Sequence, residues 1–168
     1  MGKFLKGMLV MGLVAGLGAG SALAQAQRQE GPKYGTAVGE IAKPVVLKTL
    51  DGKDFDTGKL AERTMFVLVN SVCGLCAKEM NDLVMESQAF KGVKVYLVSV
   101  DVDMERGKGR YEKYLKLFDM LWDPEFKLGE AVAMNSTPST LILDKGGKIA
   151  FKKVGYRTGD IEVLKKAL

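Results

Sequence analysis

Cys73 and Cys76, separated only by Gly74 and Leu75, are the two cysteines of this 168-residue chain. A disulfide between residues this close shuts a very small loop and constrains the unfolded chain little, so a structural staple explains the pair poorly. What the spacing suits is reversible thiol–disulfide exchange. The apolar run Met65-Phe66-Val67-Leu68-Val69 leads up to the pair and an amphipathic pattern follows it. A buried strand therefore delivers Cys73 to a helix N-terminus, where free N–H groups and the positive end of the helix dipole favour a thiolate. Cys73 is then the nucleophile that forms a mixed disulfide, and Cys76, nearly one turn further and turned inward, resolves it. The uncharged Gly74-Leu75 dipeptide adds nothing further to thiolate stabilisation.

Two other features bear on this chemistry. Glu79 lies three residues after Cys76, on the side of the helix that carries Cys76, Met80, Leu83 and Val84. Buried there, its carboxyl would hold its proton more tightly than usual and could take the proton of Cys76 as a general base. The alternative is a solvated glutamate paired with Lys78 or another lysine. Further on, Thr137-Pro138 precedes the strand Leu141-Ile142-Leu143. A proline entering a strand forgoes a ladder hydrogen bond. A cis bond would leave Thr137 groups free to pair with an extended substrate, whereas a trans bond would make an ordinary strand-entry turn.

The elements that position these residues follow from local pattern. Val45–Leu50, the turn Asp51-Gly52 and Lys53–Asp56 read as a hairpin. Residues 64–70 form a central strand, and a helix spans Cys73 to about Gln88, stopping near Gly92. Val93–Val100 is a second buried strand. Arg110–Phe118 is helical by the spacing of Tyr111, Tyr114, Leu115 and Phe118, and Phe126–Met134 is a short helix. Trp122 packs at the end of a short strand. Leu141–Asp144 and Lys148–Val154 flank the turn Lys145-Gly146-Gly147, and Asp160–Leu168 closes the chain as a helix. The order hairpin, β, α, β, α, α, β, β, α gives a three-layer α/β fold.

Composition narrows the function. Lys3 and Lys6, the apolar stretch Met8–Ala19 and the small residues Ala22-Leu23-Ala24 read as an export signal over residues 1–24, with a second cut site at Ala24-Gln25-Ala26. The rival is an uncleaved membrane anchor, since no charge falls between Lys6 and Arg28. Residues 25–35 read as a flexible lead-in and 36–168 as one domain. Loss of Lys3 and Lys6 takes the 25 basic residues to 23 against 20 acidic ones, a net charge of +3, with no run suggesting nucleic acid. An exported protein whose two thiols share one motif belongs in an oxidising compartment such as a bacterial periplasm. The chain has no histidine, which excludes Cys-His catalysis and leaves a two-cysteine zinc site without its remaining usual ligands. Arg106-Gly107-Lys108-Gly109-Arg110 lacks the following Gly-Lys-Ser/Thr of a phosphate loop and reads as a solvated loop. Nothing calls for a cofactor.

Taken in order, Leu50-Asp51-Gly52-Lys53, Cys73-Gly74-Leu75-Cys76 with Glu79, Val98-Ser99-Val100-Asp101, Thr137-Pro138-Ser139-Thr140 and Asp144-Lys145-Gly146-Gly147-Lys148-Ile149 resemble the thioredoxin fold. Within it, the chain is similar to the TlpA-like (ResA-like) extracytoplasmic thiol–disulfide oxidoreductases over roughly residues 36–168. The resemblance implies a central mixed sheet with an N-terminal β-hairpin extension, a cis Pro138 against the cysteine pair, and an active-site role for Glu79. It also implies a reducing role on protein disulfides, as in cytochrome c maturation, with electrons from a membrane thiol carrier. Two positions depart from the family pattern. Val72 stands where tryptophan is common, and Asn81 stands where a helix-kinking proline is common. Val72, Gly74, Leu75, Thr137 and Pro138 are the expected substrate-binding residues, and a monomer is the expected state.

Two rivals come from other classes. A peroxiredoxin-like peroxidase would want a threonine and an arginine around its cysteine, where this chain supplies Asn70 and Ser71. A non-enzymatic copper- or zinc-handling protein would use the same thiolates, with the nine methionines as further soft ligands. Most of those methionines, however, fall at core spacing or in the signal.

Overall fold

The computed structural model describes residues 33–168; the expected signal, the anchor alternative and most of the lead-in lie outside them. Among the described residues seven strands form one sheet: β1 (Val46–Thr49), β2 (Asp54–Asp56), β3 (Thr64–Val69), β4 (Lys94–Ser99), β5 (Asp119–Trp122), β6 (Ser139–Leu143) and β7 (Ile149–Val154). Their order across the sheet is β2-β1-β5-β4-β3-β6-β7. The β3–β4 and β4–β5 pairs are parallel, and β1–β2, β1–β5, β3–β6 and β6–β7 are antiparallel. The mixed sheet and the N-terminal hairpin are as the sequence leads one to expect.

All six residues of β3 are buried, which is why the segment shows no alternation: helices or loops cover both of its faces. On one face Met65, Val67 and Val69 pack with Met80 and Leu83 of α1 (Gly74–Met85), Tyr111 of α2 (Met104–Tyr111) and Leu164 of α4 (Asp160–Lys166). On the other, Phe66 and Leu68 pack with Leu128 of α3 (Lys127–Ala131), Val132 and Met134. The result is the three-layer α/β arrangement. No helix among the described residues is long and apolar enough to cross a membrane.

Four local expectations are corrected. Residues 106–110 are not a loop but lie inside α2, whose start is fixed by the Asp103 carboxylate accepting from the N–H groups of Glu105 and Arg106. The helix expected over Arg110–Phe118 ends at Tyr111 and gives way to a 3-10 turn, Glu112–Tyr114. The aromatic spacing is real, but it straddles two elements. The short strand expected to end at Trp122, left out of the element order, is β5, and it inserts between β4 and β1. The helix after Cys73 also stops earlier than expected, at Met85, and a 3-10 turn over Ser87–Phe90 carries the chain to Gly92, whose φ of +87° suits glycine.

Candidate active site

Strand β3 ends at the C-terminal edge of the sheet, and the turn Asn70–Val72 carries the chain into α1. Asn70 Oδ1 accepts from the Val72 N–H at 3.1 Å, and Asn70 O accepts from the Cys73 N–H at 3.0 Å. Cys73 is the N-cap of α1, its Sγ accepting from the Cys76 N–H at 3.0 Å. Negative charge on Cys73 sulfur would therefore face an unpaired end of helix N–H groups. Cys73 and Cys76 are joined as a disulfide. Cys73 is half-buried and Cys76 is fully buried, so a partner sulfur can approach only the first.

Glu79, one turn into the helix, is 1% exposed, which settles where its side chain goes: it is not a solvated surface glutamate. Its Oε1 accepts from the Thr140 hydroxyl at 2.5 Å, and its Oε2 is buried with no hydrogen-bond partner among the described residues. Burial pushes its pKa from an ordinary 4.5 up to about 7, against the opposing effect of the Thr140 hydrogen bond.

Pro138 follows a cis peptide bond after Thr137, is itself buried, and leads into β6. The first register pair of β6 with β3 is Ser139 opposite Leu68, and Val67 stands opposite Thr140. This register brings Thr137-Pro138 to the end of β3 from which Cys73 emerges, and it aims Thr140 at Glu79. Val72 is 74% exposed and Leu75 52%, and Gly74 has open space around the position a Cβ would take. Val72, Gly74 and Leu75 are thus all exposed beside the half-buried Cys73. Asn81, at the position where a kinking proline is common, accepts from the Tyr114 hydroxyl at 2.8 Å, and α1 runs through it unbroken.

The sequence pattern assigns no role to Asp101, although it is buried and organises the turn. Its carboxylate accepts from the Ser71 N–H (3.0 and 3.1 Å), the Ser71 hydroxyl (2.5 Å) and the Ser99 hydroxyl (2.9 Å). Its carbonyl accepts from Trp122 Nε1 at 2.7 Å. The Tyr111 hydroxyl donates to Asn70 O at 2.7 Å. The turn before Cys73 is thereby held from β4, β5 and α2 together. An aspartate directly after a buried strand, in Val98-Ser99-Val100-Asp101, was the available signal: a charge so placed must find donors. Asn70, Val72, Val100, Val102, Asp103 and Arg106 line a groove of about 310 Å³ beside this network.

A mixed sheet whose parallel strand feeds a Cys-x-x-Cys into a helix N-terminus, opposite a cis proline, defines a thioredoxin-like domain. The chain belongs to the AhpC/TSA family, whose model matches residues 38–152. No curated protein sequence matches it. Among solved structures it is similar to the thioredoxin domain of a thiol-disulfide oxidoreductase from Bacteroides vulgatus (21% identity, 80% of this chain and 100% of that one, TM-score 0.62). StoA from Bacillus subtilis is similar over 76% of this chain and 97% of that one (21% identity, TM-score 0.58). A thiol-disulfide oxidoreductase from Bacteroides fragilis is similar over 77% and 100% (17% identity, TM-score 0.63).

Proposed function

We propose that this protein is an exported thiol–disulfide oxidoreductase that reduces disulfides in periplasmic proteins, for example during cytochrome c maturation, and draws its electrons from a membrane thiol carrier. The observation that carries the reading is the asymmetry of the pair: Cys73 is half-buried at a helix N-terminus while Cys76 is sealed beneath it. In the reduced protein the Cys73 thiolate attacks one sulfur of the substrate disulfide, forming a mixed disulfide and releasing the first substrate thiolate. Cys76 gives its proton to the Glu79 carboxylate and attacks Cys73 Sγ. The second substrate thiolate leaves, two electrons have passed to the substrate, and the Cys73–Cys76 disulfide remains. A donor dithiol then reverses these steps at the same sulfur. Val72, Gly74 and Leu75 face the substrate on one side of Cys73. Thr137, before Pro138, offers its backbone to an extended segment of it. Export rests on the character of residues 1–24, with a tether to the inner membrane as the alternative form of the same location.

The motif supports the reducing direction, since a strong oxidant needs an unusually stabilised thiolate and Gly74-Leu75 supplies no charge for one. Equilibration of the full chain against glutathione and dithiothreitol buffers tests it. A reversible two-electron couple near thioredoxin's value of about −270 mV is the expected result. A couple above about −180 mV would make the protein a disulfide donor. Rapid peroxide consumption requiring Cys73 alone would replace the reading with a peroxidase.

A further inference from the structure

The hydrogen bond from Thr140 to Glu79 fixes which neighbours the buried carboxylate feels. Thr140 stands opposite Lys153 in the β6–β7 register, and opposite residues of an antiparallel pair project to the same face with Cβ atoms about 5 Å apart. Two residues along, Ile142 and Phe151 are paired in the same way and both pack in the core that contains Cys76 and Met80. Lys153 therefore leaves β7 on the side where α1 lies. Its ammonium is 3.3 Å from Asp160 Oδ2 at the start of α4, and that oxygen also accepts from the Arg157 N–H at 2.7 Å. Lys153 is one-third exposed and Asp160 less than one-sixth, so their charges are incompletely screened.

We infer that Lys153 and Asp160 form a positioning pair for Glu79, in which Lys153 supports the carboxylate form and Asp160 draws Lys153 away from it. This rests on the reading of Glu79 as the base for Cys76. The charged and titratable groups facing Glu79 are Asp82 of α1, Tyr111 of α2, Lys153 of β7, Tyr156 in the turn after β7, and Asp160 of α4. Strand β3 adds only Val67 and Val69, and β6 adds Thr140. Asp82 is held by the Lys78 ammonium (3.0 Å) and the Tyr156 hydroxyl (2.6 Å), which ties up its charge locally. The charges of Lys153 and Asp160 act on the carboxylate more strongly than that of Asp82. Because only an ionised Glu79 can accept a proton, such a bias decides the pH at which Cys76 is activated.

The test is a titration of the Glu79 side-chain carboxyl by carbon NMR in the oxidised full-length protein, with the signal assigned by its loss in Glu79→Gln. Lys153→Met should move the midpoint up and Asp160→Asn should move it down, each by about half a pH unit or more. Lys153→Arg should keep the wild-type midpoint, separating charge from packing. Unmoved midpoints, or both moving the same way, overturn the inference. The pH profile of mixed-disulfide resolution should follow the same shifts. Midpoints that move while the resolution profile stays put would uphold the electrostatic coupling and discard Glu79 as the base.

Discussion

The Thr140 hydroxyl donates to Glu79 Oε1 across the α1–β6 contact, and the other carboxylate oxygen is buried without a partner among the described residues. That half-satisfied state is tolerable while Glu79 is protonated and costly once it is charged. The folded value of about 7 lies above the ordinary 4.5, so the folded protein holds this proton more tightly than the unfolded chain does. The associated stability is complete below about pH 4.5 and is lost as pH rises through 7, a change on the order of 3 kcal/mol. Glu79→Gln stays neutral and keeps it. Urea unfolding of the oxidised proteins should therefore give matching stabilities near pH 4 and a variant more stable by about 2–3 kcal/mol near pH 8. An equal difference at both pH values would mean that the glutamate is not desolvated in the way its burial implies.

The same substitution should slow chemistry. With no base beside Cys76, Glu79→Gln should resolve the mixed disulfide at least about tenfold more slowly at pH 7. Stopped-flow measurement of substrate thiol release reads this step directly, and an unchanged rate removes Glu79 from the mechanism.

The two cysteines should fail differently. Cys76→Ser should accumulate a covalent mixed disulfide with a protein substrate, visible by mass spectrometry and reversed by dithiothreitol, because nothing then attacks Cys73 Sγ. Cys73→Ser should trap nothing, because Cys76 is buried. Equal trapping by both would contradict the assigned roles.

Much of this site is legible in the sequence because its parts are local: the run into Cys73, the spacing to Cys76 and Glu79, and the proline ahead of Ser139. Glu79 could be placed on the inward face of α1 from sequence, but its burial depends on Thr140, 61 residues away, so its two readings could not be separated there. The role of Asp101 is hidden for a similar reason. Its donors Ser71 and Ser99 lie on different strand ends, and only the parallel β3–β4 register sets Val69 beside Ser99 and brings them together. Helix α2 is hard to place from sequence because Gly107 and Gly109 argue against a helix by propensity, while the reason for one of them is tertiary.

Those two glycines should respond oppositely to alanine. A Cβ at Gly107 would fall 2.2 Å from Ser99 Oγ and 3.0 Å from Asp101 Oδ2. Gly107→Ala should therefore push α2 off the network that holds the Cys73 turn, costing about 1–3 kcal/mol. A Cβ at Gly109 meets nothing within 4 Å, and Gly109→Ala should stabilise the helix by about 0.5–1 kcal/mol. Thermal unfolding of the pair decides this, and a neutral Gly107→Ala would show that α2 does not clamp the turn.

Asp101 itself offers the sharper test of that clamp. Asp101→Ala leaves the Ser71 N–H and the Ser71 and Ser99 hydroxyls without their shared acceptor, a loss of about 2 kcal/mol or more. Ser71→Ala removes one of these bonds and should cost about 1 kcal/mol. If the network only stabilises the fold, both variants should retain the wild-type reduction potential and single-turnover rate well below their melting temperatures. If it also orients the turn that carries Cys73, the rate of attack on a small disulfide such as oxidised glutathione should fall in Asp101→Ala at temperatures where the protein is fully folded. The second outcome is expected, because Asp101 bonds the residue only two positions before the nucleophile. Alkylation of reduced Cys73 by iodoacetamide separates the causes: a rate unchanged in Asp101→Ala while attack on the disulfide falls assigns the loss to orientation of the turn, and a rate that falls as well assigns it to the thiolate.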